Sequence, residues 1–173
     1  MKYIFYTFLS LIILASCKTN KDYLSRSDND NTLFDAIKTL KKHNTDTTAL
    51  QALPVLYNLA QQRNLRKINS YSSSRELSRW DKMINAYSTL QEMYNAIVEN
   101  DAASRVVTPV NYQQTLYDLK HEAAADYYTA ATVFLNKPGR ADAKQAYNYF
   151  KKADKLVPGY EDAKLKMDEA YAH

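Results

Sequence analysis

The chain has 173 residues and a net charge of +4, with its Lys and Arg scattered among Asp and Glu, so the sequence carries no basic run suited to a phosphate backbone. Two glycines, four prolines and one cysteine argue against a turn-rich sheet protein and exclude any disulfide within the chain. Fifteen tyrosines against five phenylalanines and one tryptophan suit thin helical layers, in which a ring packs inward while its hydroxyl stays wet. The expected fold class is all-α: antiparallel helical hairpins, about five or six helices, stacked as an α-solenoid or gathered as a compact bundle.

Met1-Lys2-Tyr3 opens the chain with one positive charge, and an apolar run follows from Ile4 to Ala15. That run has the length of a signal-peptide core and is too short to cross a bilayer as a helix. It ends Leu14-Ala15-Ser16-Cys17, an aliphatic residue and two small ones before the only cysteine. The pattern resembles the bacterial lipobox. The resemblance implies cleavage between Ser16 and Cys17, a diacylglycerol thioether on Cys17 and acylation of the freed amino group. Residues 1–16 are then the signal peptide, 17–31 the lipidated cysteine with a flexible polar tether, and 32–173 the helical domain. Lys18 follows the cysteine, and Lys18-Thr19-Asn20-Lys21-Asp22 is not an acidic cluster. Among lipoproteins that combination implies anchoring in the outer membrane, facing the periplasm, with the cell surface as the alternative.

In the domain, Leu33, Phe34, Ile37 and Leu40 recur at helical spacing, so a helix is expected from Thr32 to about His43, with Lys41-Lys42-His43 at its negative end. Asn44-Thr45-Asp46 breaks it. A second helix is expected from Thr48 to about Asn69, with Pro54 either kinking it or marking its true start. Ser73 and Glu76 have capping-box spacing and predict a third helix to about Asn100, carrying Leu77, Trp80, Met83, Ile84, Tyr87 and Leu90. Asp101 to Pro109 reads as a loop. Pro109 and Asn111 open a fourth helix through Leu119, Tyr127 and Phe134. Lys137-Pro138-Gly139-Arg140 is the clearest turn, a fifth helix covers Ala141 to Leu156, and Pro158-Gly159 separates it from a last helix starting at Tyr160.

Ala146, Phe150, Ala153 and Pro158 have the spacing of the second helix of a tetratricopeptide repeat, and Tyr127, Ala130, Ala131 and Phe134 look like its first. Trp80, Met83 and Tyr87 echo the first helix more weakly. The chain thus resembles the tetratricopeptide-type lipoproteins of Bacteroidota, a resemblance that implies fold and location and brings no activity with it. The connection between the two matching helices is about three residues longer than a 34-residue period allows.

The residues offer little catalysis. His121-Glu122 starts like a zinc-protease helix, yet the position four after His121 is Ala125. Asp118 with Glu122, and Glu161 with Asp162, are carboxylate pairs set among lysines, which on helices is a solvated, ion-paired face. No phosphate-cradling loop or metal-ligand spacing occurs in the sequence, so no enzyme activity, cofactor, metal or small-molecule substrate is expected. The expected role is a membrane-anchored scaffold for a protein partner in the envelope, with Tyr127, Tyr128, Asn148 and Tyr149 as candidate groove residues. The alternative is a peptidoglycan- or glycan-binding module without catalysis. Nucleic acid is not an expected partner.

Overall fold

The computed structural model of the chain describes residues 22–172, and the expected processing site at Ser16 and Cys17 lies outside them. The described residues form an all-α structure, as expected, and helices near one another in the chain pack together.

Helix α1 (Asn31–Lys42) buries Leu33, Ala36, Ile37 and Leu40, the face its spacing predicts. Helix α2 (Thr47–Ser72) begins where the Asp46 carboxylate accepts the Ala49 N–H at 2.9 Å, satisfying one of the donors a helix start leaves free. Asp46, and not Pro54, is therefore the start signal. Pro54 sits within the helix, which continues through it because Leu53, Leu56 and Tyr57 beside it are pinned in the core.

Helix α3 (Ser78–Val98) starts five residues after Ser73, and the expected capping box does not form. Ser74 Oγ accepts the Glu76 N–H instead, and the Leu77 carbonyl accepts the buried Tyr127 hydroxyl at 3.1 Å. A long-range contact thus helps position this junction where a local cap was expected. The expected loop after Asn100 contains one turn of helix, α4 (Asp101–Ser104). The Asn100 side chain accepts the N–H groups of Ala102 and Ala103, both at 3.0 Å, while its amide donates to the Ile37 carbonyl. Ala102 and Ala103 are thereby carried into the core.

Helix α5 (Gln113–Leu135) opens after Asn111, whose side chain accepts the Gln113 N–H. The connection after it is short enough to force an antiparallel hairpin with α6 (Arg140–Leu156). Helix α7 (Ala163–Tyr171) follows Pro158-Gly159, where Gly159 takes the left-handed backbone at φ 76° that glycine tolerates. The main pairings run α1–α2, α2–α3, α3–α5, α5–α6, α6–α7, with α4 tucked under α1 and α3. Residues near Tyr23 therefore stand at one end of the stack and α6–α7 at the other.

The expected tether is corrected over residues 22–31. Tyr23 is only 1% exposed and donates its hydroxyl to Thr39 Oγ1 at 2.8 Å. A 3-10 turn spans Leu24–Arg26, and Thr32 Oγ1 donates to the Arg26 carbonyl. Arg63 on α2 donates to the Asp30 carboxylate and to the Ser27 carbonyl, and the buried Asn64 amide donates to the other Asp30 oxygen at 2.8 Å. The polar composition that suggested a solvated linker supplies the hydrogen bonds that fasten it.

Candidate functional site

The four residues expected to form a groove do not share one surface. Tyr127 is 1% exposed, so the expectation that its ring lies on the surface is corrected. Its hydroxyl donates to the Leu77 carbonyl and accepts from Lys152 Nζ at 3.1 Å, and Lys152 also donates to Asp81. Burial and, more weakly, the Asp81 charge push the Tyr127 hydroxyl up from the ordinary tyrosine range, and Lys152 opposes them. Burial works to lower Lys152, but the Asp81 carboxylate and the Tyr127 hydroxyl outweigh it, so its ammonium is held charged. Neither shift prepares a nucleophile or a base near neutral pH. The cluster joins α3, α5 and α6.

Tyr128 and Tyr149 are half-buried in the same hairpin. Tyr128 packs edge-on to Phe150 at 5.3 Å and donates its hydroxyl to the Asp162 carboxylate. That acceptor, with lesser help from burial, pushes the Tyr128 hydroxyl up to about 12. Tyr149 lies between Tyr127 and Phe134, at 5.6 and 5.8 Å between ring centres. Asn148 is exposed, and it alone of the four lines the groove described below. Tyr127 belongs to the helix contact that gave the repeat-like spacing: an aromatic ring at that spacing packs between helices first.

The groove itself encloses about 810 Å³ between the first half of α6 and the end of α7. Arg140, Lys144, Tyr147 and Asn148 form one wall, and Ala170 with Tyr171 forms the other. Small residues make the gap: Ala143 and Ala146 on α6, with Ala163 and Ala170 on α7, are buried and let the helices approach without filling the space beyond. The Tyr147 and Tyr171 rings face each other across the opening at 6.3 Å, and Tyr171 is 85% exposed. Sequence reasoning missed Tyr147 and Tyr171. Helical arithmetic from Asn148 and Arg140 places Tyr147 on the same wall, but the partner wall depends on how α7 docks.

The sites discounted on sequence look ordinary. His121 stacks on Tyr117 at 4.4 Å on the surface of α5, and Asp118 accepts from the Gln114 amide. Among the described residues no group of three or more His, Cys, Asp or Glu could hold a metal ion, and no helix is long and apolar enough to cross a membrane. No family model, curated protein or solved structure matches the chain.

Proposed function

We propose that this chain is a lipid-anchored envelope protein, attached through Cys17 to the outer membrane on its periplasmic side, and that it works as a protein-interaction module. The observation that carries the interaction role is the open groove between α6 and α7, rimmed by Tyr147, Asn148 and Tyr171. An exposed and a half-buried tyrosine beside an amide and two cations are the residue types that anchor protein partners. The anchoring role rests on the lipobox likeness. With residues from Tyr23 onward bound to the domain, the chain length from Cys17 to Asp22 can span about 17 Å at most. The N-terminal end of the stack would then lie close to the lipid, and the groove, at the other end, would look away from it.

The test is photo-cross-linking in intact cells from a photoreactive side chain replacing Asn148, with Cys17→Ala as the comparison. The expected result is one or two envelope proteins captured by the lipidated form and lost with Cys17→Ala. Absence of any adduct, with the protein still in the membrane fraction, rejects the interaction role. A second reading, binding of cell-wall glycan without catalysis, draws on the tyrosine pair at the groove mouth, since sugar rings stack on aromatic faces. The rings are inclined at 52° and do not make one flat platform, which ranks it second. Retention on purified peptidoglycan, reduced by Tyr171→Ala, would put it first.

A further inference from the structure

Helix α6 carries Arg140, Lys144, Lys151 and Lys155 within about 60° of arc, at 100° per residue. All are exposed. The ion pairs among the described residues are Arg26–Asp35, Arg63–Asp30, Arg79–Asp126, Lys152–Asp81 and Lys166–Glu169, and none involves these side chains. The contrast with Lys152 on the same helix is informative: turned toward α3, it finds a carboxylate. The acids of α6 do not answer the stripe. Asp142 lies against Gly139 on another side of the helix, and Asp154 accepts the Gly159 N–H at 2.9 Å. Within the stripe Tyr147 lies under Lys151, whose ammonium is 5.9 Å from the ring centre, and Asn148 offers an amide. Arg140 and Lys144 also line the groove.

We infer that this face takes an acidic, extended peptide segment of the partner. The inference rests on the interaction role proposed above and specifies its chemistry. From Arg140 to Lys155 the stripe is about 22 Å long, which an extended peptide covers with about seven residues. The four cations, two on the aromatic-rimmed groove wall and Lys151 and Lys155 beyond it along α6, complement carboxylates spaced along such a segment, with an apolar or aromatic side chain entering between Tyr147 and Tyr171. An anionic membrane is the weaker occupant: a flat surface would touch the lysines without entering the groove, which lies at the opposite end of the stack from the anchor-bearing terminus.

The test uses full-length protein purified in a neutral detergent and a fluorescein-labelled heptapeptide of glutamate with a central tyrosine, compared with its glutamine counterpart. The glutamate peptide is expected to bind at least about ten-fold tighter in about 50 mM salt, and the difference to collapse in about 500 mM. Lys144→Glu with Lys151→Glu should lose about ten-fold or more of that affinity, and Lys41→Glu with Lys42→Glu, on α1, should lose none. An unchanged melting temperature in both variants separates lost binding from lost folding. Equal binding of the two peptides overturns the inference, as does equal loss in both variants. Binding of phosphatidylglycerol vesicles by the Cys17→Ala protein, abolished by the α6 variant while peptide binding is not, also overturns it. If the cross-link from position 148 captures a partner through a segment without carboxylates, the inference fails while the interaction role stands. If no partner is captured at all, the interaction role itself fails.

Discussion

The two ends of the helix stack fill space differently. From α1 to α4 the core is filled by many large side chains, Leu33, Leu40, Leu53, Leu56, Leu90, Met93 and Ile97, set between alanines such as Ala36, Ala49 and Ala103, with Tyr23 folded in from the N-terminal segment. From the middle of α5 to α7 the deepest side chains are mainly alanines, Ala131, Ala143, Ala146, Ala153, Ala163 and Ala170, around two large residues, Tyr127 and Phe150. Large residues bury apolar area and set helices apart. Alanines bury little and bring backbones together. The first region is thus a core with polar fastenings at its edge. The second is a close-packed hairpin and cap that turns Tyr171, Lys144, Lys151 and Lys155 outward. An open groove is what remains when packing is done by methyl groups.

The comparison can be broken at Phe150 first. Phe150→Ala should cost about 3–5 kcal/mol in urea unfolding, because no neighbour other than alanine and rings already engaged can collapse into the space. Ala146→Leu should cost about 1–3 kcal/mol by overfilling a contact built for a methyl group, whereas Leu53→Met in the first region should cost under about 1.5 kcal/mol. If Ala146→Leu proves harmless, the close-packed description of the second region is wrong.

Next comes the fastening at the other end. Asp30→Ala leaves the Arg63 guanidinium and the Asn64 amide without their carboxylate, a loss of about 1–3 kcal/mol. Amide exchange should quicken across residues 23–30 while α6 and α7 keep their protection. Uniform quickening would show that the terminal segment and the far end unfold as one unit.

The smallest effect is the pH response of the second region. The Tyr128 hydroxyl is raised from 10 to about 12 by its bond to Asp162, so the folded state holds that proton more firmly than the unfolded one. Its contribution to stability is complete below pH 10 and disappears as pH rises toward 12. Melting temperatures followed across that window should fall more steeply for the native chain than for Tyr128→Phe. Parallel curves would mean that the bond has no energetic consequence.

Much of the fold could be read beforehand because it depends on local periodicity. Leu33, Ile37 and Leu40 mark α1 unaided, and Pro138-Gly139 and Pro158-Gly159 bound α6 as expected. The departures share a cause. The turn at Asp101 forms because Asn100 reaches Ile37, sixty-three residues away, and α3 starts at Ser78, where Tyr127 grips the Leu77 carbonyl. Residues 22–31 read as a solvated linker because their partners, Thr39, Arg63 and Asn64, lie farther along the chain. For the candidate site, Asn148 could be found from its polarity on an amphipathic helix. Tyr127 could not be told from a surface tyrosine, since spacing puts a ring on a face without saying what covers that face.

By itself, the sequence determined the helical class and most helix limits, together with the lipobox-like start from which the anchoring proposal comes. Hydrophobic spacing and turn residues act over a few positions, so they need no partner to be legible. Tertiary structure alone decided that the N-terminal segment is bound, that Tyr127 is interior and that Tyr171 closes a groove with Tyr147. Those outcomes depend on which helix lies against which, and burial is a property of the pair of surfaces, not of either strand of sequence.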